Sequence, residues 1–355
     1  MKILITGAGG FVGAAIARFF LEHTDGLEIY GIDNFSRPGS ETNRLPLKQL
    51  GIDLRHADLR CPADLDLLPA VNWVIDAAAL PSVLAGLSQP GASRQLMDVN
   101  LTGTQNLLEY CRRHHAGLVL ISTNRVYHIP TLDALPLRET ETRFELDPDQ
   151  LLPDGMTSKG LTESFSTAPP ISLYGASKLC AETLAREYAH AFGLPVWINR
   201  CGILAGAGQF GRPDQGILAY WLNSWLRERT LKYIGYGGHG LQVRDCLHPR
   251  DLADLVHRQV QAGDTNDTPL NIGGGMNRTF SLRELSDWCA DRWGPREVAV
   301  EPSNRPFDAP LLAMDSTCAQ AAFDWAPSTG LNDIFEEIAN HAETDPEWME
   351  ISGAS

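Results

Sequence analysis

The chain has 355 residues, of which 43% are hydrophobic and 21% are charged, and its formal net charge at pH 7 is −15. This length suits a large α/β domain followed by a smaller one. The acidic balance argues against a nucleic-acid surface, which needs a basic stripe. No apolar run reaches the roughly 18 residues that span a bilayer, so we expect a cytoplasmic protein without membrane contact.

The spacing of the cysteines gives no indication of a metal or redox site. The seven cysteines are scattered, and no two of them stand in a C-x-x-C pattern. We expect reduced thiols, several of them buried, and no bound metal.

In the first half, short β-branched segments alternate with amphipathic ones, which is typical of a parallel sheet covered on both faces. The predicted strands are residues 2–6, 28–32, 52–56, 72–76 and 117–121. The predicted helices are residues 11–23, 92–115 and 176–192. We therefore predict an α/β fold in which residues 1–200 form a Rossmann-like, doubly wound parallel sheet.

The second half is less regular. Segment 128–170 carries prolines and acidic residues without a sustained period, and we interpret it as an insertion over the functional site. A smaller C-terminal, substrate-binding lobe is expected over 201–345, with about 240–262 returning to the first domain. Its predicted strands are 231–235 and 270–272, and its predicted helices are 215–227 and 281–292. The polar residues beyond about 342 are expected to fray.

The first predicted strand runs into glycines spaced G-x-x-G-x-x-G, at Gly7, Gly10 and Gly13. Such a turn leads from a strand into a helix, which here begins with Phe11 and Val12. It lets a dinucleotide pyrophosphate approach the backbone at the positive end of that helix. Glycine turns are common, but a strand before and a helix after favour a cofactor site.

An acidic residue completes this pattern. Asp33 ends the second predicted strand, 20 positions after Gly13. A carboxylate there accepts hydrogen bonds from the adenosine ribose and repels a 2′-phosphate, so the predicted cofactor is NAD rather than NADP. Asn34 is assigned to the same site. Arg37 is close enough to bind a 2′-phosphate, but we interpret it as a solvated loop residue.

Two further segments are assigned to the cofactor, each with an alternative. Asp58, followed by Leu59, comes after the third predicted strand, where an acid either binds the adenine amino group or caps a turn. Three small residues end the fourth predicted strand, and they either leave room for the dinucleotide or pack against a helix. These residues are Ala77, Ala78 and Ala79.

Tyr174 and Lys178 lie one helical turn apart, so both can face the same side of a helix. A nearby lysine favours the phenolate of a tyrosine, whose ordinary pKa near ~10 makes it a poor base at neutral pH. The pair predicts proton removal from a hydroxyl that is being oxidised. Thr123, at the end of the fifth strand, would hold that hydroxyl, while Ser122 would pack or cap beside the cofactor. Asn100 would anchor Lys178 through a water or be a buried polar helix residue.

Together these motifs resemble the extended short-chain dehydrogenase/reductase family, and specifically its nucleotide-sugar epimerases. The resemblance covers nearly the whole chain through GAGGFVG, DVNLTGTQNLLE, STNRVY, YGASK and QVRDCLHPRDL. STNRVY, ETETRFE, DQG and the long gap between Thr123 and Tyr174 look most like the CDP-paratose 2-epimerase (tyvelose epimerase) branch.

The resemblance implies the substrate side of the site. Arg244 in V-R-D and Arg305 in SNRPFD would bind the substrate's diphosphate by charge-assisted hydrogen bonds. Asn124 would contact the sugar, and Gln215 and Arg212 would lie near it. The sequence departs from the family after Arg200, where the asparagine that often holds the diphosphate is missing.

The resemblance also implies a reaction. We expect NAD-dependent epimerisation of a CDP- or UDP-linked hexose at C2, through a transient keto sugar, in a homodimer formed by the helices near 92–115 and 176–192. UDP-sugar 4-epimerisation uses the same residues and stays open. A 4,6-dehydratase would carry Asp-Glu in place of Asn124-Arg125, and a non-catalytic NAD-binding scaffold would be expected to lack the tyrosine or the lysine.

Overall fold

The computed structural model describes residues 1–87, 89–263 and 268–354. In its first third, strands and helices alternate as predicted. The elements in chain order are β1 (Lys2–Thr6), α1 (Phe11–His23), β2 (Glu28–Asp33), α2 (Arg44–Gln49), β3 (Asp53–His56), α3 (Pro62–Asp66), β4 (Trp73–Asp76), α4 (Ala92–Met97), α5 (Gly103–His114) and β5 (Gly117–Thr123). All five predicted strands of this region are confirmed to within two residues.

The rest of the chain contains shorter strands. The next elements are α6 (Ile129–Asp133), β6 (Leu137–Glu139), β7 (Phe144–Leu146), β8 (Met156–Thr157), β9 (Gly160–Leu161), α7 (Ser172–Phe192), β10 (Val196–Cys201), β11 (Ile203–Leu204), α8 (Ile217–Leu226), β12 (Lys232–Ile234) and β13 (Val243–Leu247). They are followed by α9 (Pro249–Ala262), β14 (Leu270–Ile272), β15 (Thr279–Ser281), α10 (Leu282–Trp293), β16 (Ala299–Glu301), β17 (Leu311–Leu312), α11 (Thr317–Phe323), α12 (Leu331–Thr344) and α13 (Trp348–Ile351).

The central sheet has seven parallel strands in the order β14-β10-β5-β4-β1-β2-β3. Successive residues of a strand point to opposite faces, so Ile3 and Ile5 pack towards α1 and α9 while Leu4 packs towards α5 and α7. Both faces are covered, which explains why the strands are continuous apolar runs. The strand order reverses between β1 and β4, and ligands bind such sheets at the carboxyl ends of the strands there. The predicted α/β, Rossmann-like fold is confirmed.

The placement of 270–272 in the smaller lobe is wrong. This strand, β14, pairs with β10 and forms an edge of the central sheet. Before it, α9 packs on α1, so the chain has already returned to the first domain. A three-residue strand carries no information about which sheet it joins. The domain division at residue 200 stays a prediction.

Two helices differ from their predicted bounds. The helix predicted over 92–115 is divided into α4 and α5 by a π-helical turn at Asp98–Thr102. Such widened turns often mark functional sites, and this one carries Asn100. The helix predicted to begin at 176 begins at Ser172, so Tyr174 lies inside its first turn.

The C-terminal residues are ordered rather than frayed. Helix α12 continues to Thr344, and α13 follows it. Trp348 of α13 donates a hydrogen bond of 2.8 Å to the carbonyl oxygen of Gln209 and stacks on Phe210. Met349 is only 1% exposed. The segment was predicted to fray because most of its residues are polar, but Trp348 and Met349 anchor it.

The insertion 128–170 connects the two parts of the molecule. Its hairpin β6–β7 is held by Arg143, whose guanidinium donates to both carboxylate oxygens of Glu284 at 2.6 and 2.5 Å. At its base, α6 and Pro170 line a cavity of about 490 Å³ together with Phe307. Strand β13 lies nearby in a separate small sheet with β11, β15 and β17, and it carries Arg244.

Two findings concern the chain as a whole. All seven cysteines are free, and four of them are buried. Among the described residues no helix combines the length and the apolar character that crossing a membrane requires.

Candidate active site

The glycine turn between β1 and α1 is built so that a ligand can reach the backbone. Gly7 has φ of 61°, a left-handed conformation that favours glycine. A Cβ on Gly13 would come within 2.2 Å of the Gly7 carbonyl oxygen, so only glycine permits this packing. No side chain caps the N-terminus of α1, and its first turn carries no acidic residue. This uncapped helix end fits a pyrophosphate.

Asp33 lies beside this turn, at the end of β2. Its Oδ2 accepts a hydrogen bond from the Gly9 N–H at 2.9 Å, and its Oδ1 accepts one from the Phe35 N–H at 2.7 Å. Burial raises the pKa of this carboxyl above its ordinary value, against these backbone hydrogen bonds. An ionised carboxylate has about four acceptor positions, so capacity remains for ribose hydroxyls.

Arg37 is not the solvated loop residue that we expected. Its Nη2 donates a hydrogen bond of 2.6 Å to the Phe210 carbonyl oxygen, which joins the loop after β2 to the second half of the chain. Burial, together with the charge of Arg212, lowers its pKa to about 10.

The other predicted cofactor residues surround the same edge of the sheet. Asp58 accepts hydrogen bonds from the Arg60 guanidinium at 2.9 and 2.6 Å and from Asn34 Nδ2 at 3.2 Å. The Arg60 bonds hold the pKa of Asp58 well below its usual range. These contacts support the structural interpretation of Asp58. Leu59, which follows it, is buried.

The three alanines after β4 face the glycine turn. A Cβ on Gly7 would lie 2.9 Å from the Ala77 carbonyl oxygen and from Ala78 Cα. The Ala78 N–H donates to Thr6 Oγ1 at 3.2 Å, which ties this segment to β1. Ala79 is partly exposed, like its two neighbours. The alanines therefore pack closely against the glycine turn, and they also remain accessible to a ligand.

Tyr174 and Lys178 lie in the first two turns of α7 and are 7% and 1% exposed. Burial raises the pKa of Tyr174 to about 12, while a hydrogen bond from the Thr123 side chain and the charge of Arg125 act in the opposite direction. Burial lowers the pKa of Lys178, against the charges of Asp76 and Glu182. The structure therefore places Tyr174 next to Thr123 at the carboxyl end of β5, with Lys178 one turn further along α7.

The side chains of Ser122 and Asn100 form hydrogen bonds with other residues of the protein. The Ser122 hydroxyl donates to Glu182 Oε1 at 2.5 Å, and Glu182 forms a buried ion pair with Arg200. The amide oxygen of Asn100 accepts from the Leu80 N–H at 2.8 Å, which supports the interpretation of a buried polar helix residue. Sequence reasoning missed Glu182, although its position one helical turn after Lys178 was visible.

The predicted substrate residues lie on two sides of the cleft. Arg244 is buried, and its Nη2 donates to Asp308 Oδ1 and, at 2.7 Å, to the Ala309 carbonyl oxygen. Arg305 donates a hydrogen bond of 3.3 Å to the Pro213 carbonyl oxygen. Pro213 lies in a tight turn closed by backbone hydrogen bonds between Arg212 and Gln215. Arg305, Arg212 and Gln215 are thus brought together, whereas Arg244 lies near Arg125.

Sequence reasoning also missed Arg125 as a site residue. Its guanidinium is close enough to Tyr174 and to Arg244 for the charges to interact. The available signal was its position directly after Thr123-Asn124, at the end of β5.

Comparison with known proteins gives one family. Residues 3–273 match the NAD dependent epimerase/dehydratase family. CDP-paratose 2-epimerase of Salmonella typhi is 29% identical over 351 residues, which cover 95% of this chain and 98% of that protein. dTDP-glucose 4,6-dehydratase of Salmonella typhimurium is 28% identical over 346 residues, covering 92% of this chain and 88% of that protein.

Solved structures share the fold. A mutant of UDP-glucuronic acid 4-epimerase from Bacillus cereus, crystallised with UDP-4-deoxy-4-fluoro-glucuronic acid and NAD, superimposes with a TM-score of 0.79. It is 23% identical, and the match covers 97% of this chain and 99% of that chain. At this identity the likeness shows the fold alone.

Proposed function

The chain belongs to the NAD dependent epimerase/dehydratase family, and on that premise we propose that it epimerises a nucleotide-linked hexose at C2, as a CDP-paratose 2-epimerase does. The observation that supports this most is the arrangement of Tyr174, Lys178 and Thr123 at the carboxyl end of β5. The relative with 29% identity along nearly the whole chain supports the choice of C2 and of CDP.

Membership of this family makes the cofactor NAD, as the sequence predicted. In the proposed site, Gly7, Gly10 and the start of α1 at Phe11 and Val12 hold the pyrophosphate. Asp33 and Asn34 hold the adenosine ribose, with Asp58 and Leu59 near the adenine. The remaining part of the cofactor is bordered by the alanine segment Ala77–Ala79 and by Asn100, Ser122, Tyr174 and Lys178. When bound, NAD supplies the acceptor and the returning donor of a hydride, so that no net oxidation occurs.

The chain's own residues move the proton. In the proposed mechanism Tyr174 removes the proton from the substrate hydroxyl, and Thr123 holds that hydroxyl in place. In the protein without ligands, burial raises the pKa of Tyr174 to about 12. Neighbouring positive charge is therefore needed before the phenolate is populated at neutral pH. Lys178 is assigned this function. The same tyrosine returns the proton after the sugar has turned its other face to the cofactor.

The substrate is held by the opposite wall. We assign the diphosphate to Arg244 and Arg305 and the sugar to Asn124 and Gln215. In the described structure Arg244 is bonded to Asp308, so binding a diphosphate requires it to share or exchange that partner. The Oε1 atom of Gln215 is buried and has no hydrogen-bond partner in the described part of the chain, which fits a residue whose partner is a ligand.

Asn124-Arg125 argues against dehydration. Eliminating water from a sugar needs an acid for the departing hydroxyl and a base for C5. Asn124 has no acidic proton, and an arginine stays protonated in proteins. A 4-epimerase of UDP-sugars remains the second candidate, since its proton chemistry needs the same residues.

We also propose a homodimer formed through α5 and α7. Each helix buries one face in the sheet and leaves the other exposed, and Phe192 at the end of α7 is 51% exposed. Light scattering should give the mass of two chains, and the mass of one chain would contradict the dimer.

The experiment that tests the enzyme proposal is Tyr174→Phe. Loss of acid–base catalysis should lower kcat by about 10²- to 10⁴-fold while the purified protein keeps its NAD. Tyr188→Phe is a matched control on the same helix, because it removes only a hydrogen bond to Glu109. Turnover of Tyr174→Phe at the wild-type rate would refute the assigned base.

A further inference from the structure

Arg125 is fixed at the catalytic centre by its backbone. Its N–H donates to Thr123 Oγ1 at 3.1 Å. Its carbonyl oxygen lies so close to Gly175 that a Cβ there would come within 2.2 Å. The turn that carries Arg125 is therefore held against the first turn of α7, next to Tyr174.

The guanidinium of Arg125 has no acceptor among the residues that the structure describes. In the part of the chain that the structure describes, it makes no hydrogen bond and no ion pair. Its neighbours already have partners: Asp308 is bonded to Arg244, and Tyr236 donates its hydroxyl proton to Asp133 at 2.6 Å. Burial and the charge of Arg244 lower the pKa of Arg125 to about 10. Arg125 and Arg244 therefore place two positive charges near the carboxylate of Asp308, which is paired with Arg244, and this leaves an excess of positive charge in a strongly acidic protein.

Asn124, the preceding residue, gives a second observation of the same kind. Its side chain is only 5% exposed, and its amide makes no hydrogen bond to the residues that the structure describes. Arg125 is partly exposed, and the polar atoms of both side chains are open to solvent. Side by side after Thr123, an amide and a guanidinium without a partner among the described residues therefore offer their donors to a ligand that binds beside Tyr174.

We propose that Arg125 binds the substrate directly, donating hydrogen bonds to an anionic oxygen of the nucleotide sugar between Tyr174 and Arg244. Arginine suits this function because its five N–H donors form a planar fork that matches carboxylate and phosphate oxygens. The oxygen belongs either to the diphosphate or to an acidic group of the sugar. The inference rests on the proposed function, because it requires a nucleotide sugar in the cleft.

Calorimetric titration of the NAD-loaded protein tests this inference. Wild type, Arg125→Gln and Arg125→Lys are titrated with CDP, UDP and the corresponding nucleotide hexoses and hexuronates. We expect Arg125→Gln to bind its nucleotide sugar at least tenfold more weakly, and Arg125→Lys, which keeps the charge, to lose less. Arg138→Gln is the control, because Arg138 is an exposed arginine of the insertion that pairs with Glu145.

The ligands separate the two sources of the oxygen. An equal loss for the free nucleoside diphosphate assigns Arg125 to the diphosphate, and a loss confined to nucleotide sugars assigns it to the sugar. Unchanged affinity of Arg125→Gln for every ligand that wild type binds would overturn the inference and leave the proposed function standing. If wild type binds no nucleotide sugar, the proposed function fails, and this inference fails with it.

Discussion

The side-chain amide of Asn100 donates a hydrogen bond of 3.0 Å to the hydroxyl of Ser177. Ser177 in turn donates to the Tyr174 carbonyl oxygen at 2.8 Å. Because Asn100 also accepts from the Leu80 N–H, one side chain connects the segment after β4 with the helix turn that carries the proposed base. The π-helical turn between α4 and α5 brings Asn100 to this position.

Asn100→Ala should therefore lower both stability and turnover. It leaves the partly buried Leu80 N–H without its acceptor, and an unsatisfied group costs up to about 1–3 kcal/mol when it is fully buried. It also loosens the first turn of α7. Urea unfolding and kcat measure the two effects, and Thr183→Ala, an exposed change on the same helix, should alter neither. Wild-type kcat in Asn100→Ala would show that this contact does not position the base.

Gly10→Ala should separate cofactor binding from folding. Gly10 has φ of −71°, which alanine adopts readily, and an added Cβ would approach only the Gly7 carbonyl oxygen, at 3.0 Å. The methyl group would nevertheless stand where the pyrophosphate approaches the turn. We expect at least tenfold weaker NAD binding by calorimetry and a Tm within a few degrees of wild type. Unchanged NAD affinity would contradict the assigned pyrophosphate position.

Replacing only one partner of the ion pair between Arg200 and Glu182 should strongly destabilise the fold. Both side chains are buried, and Arg200 Nη2 lies 2.7 Å from Glu182 Oε2. Arg200→Met leaves a buried carboxylate unpaired and should lower the free energy of unfolding by roughly 3–5 kcal/mol. Adding Glu182→Leu should recover part of this loss, whereas Arg112→Met, in an exposed pair, should cost about 0–1 kcal/mol. A double variant less stable than Arg200→Met would contradict this account.

Asp245 should make the stability depend on pH. It is fully buried, its Oδ1 has no hydrogen-bond partner within 1–87, 89–263 and 268–354, and burial raises its pKa from 3.8 to about 7. Between these values the folded chain binds a proton that the unfolded chain has lost, so this group's contribution to stability falls as pH rises from about 4 to about 7. Asp245→Asn removes the effect. Its Tm relative to wild type should rise between pH 5 and pH 8, and a constant difference would contradict the raised pKa. The control is Asp149→Asn, which changes an exposed aspartate of the insertion.

The first-domain strands could be predicted because parallel strands that are buried on both faces form continuous apolar runs. The glycine turn was equally visible, since Gly7 and Gly13 are required by backbone geometry that no other residue permits. The edge strand β14 was assigned to the wrong lobe because its partner, β10, is about seventy residues away in the chain and only tertiary packing selects it.

The missed features depend on contacts rather than patterns. Nothing in the apolar periodicity of 92–115 reveals the π-helical turn. Arg37 was expected to be a solvated loop residue and Arg125 was given no function, and in both cases the acceptors that lie nearby decide the outcome. Arg37 finds the Phe210 carbonyl oxygen, whereas Arg125 finds acceptors that are already occupied.

The most direct test of the central claim is proton NMR of the purified protein incubated with CDP- and UDP-hexoses. Epimerisation at C2 changes the coupling between H1 and H2, so the account predicts a new anomeric signal with an altered coupling constant from a CDP-hexose. It should be absent with Tyr174→Phe. Conversion of UDP-glucose to UDP-galactose alone would move the chemistry to C4, and no conversion of any sugar would contradict the enzyme proposal.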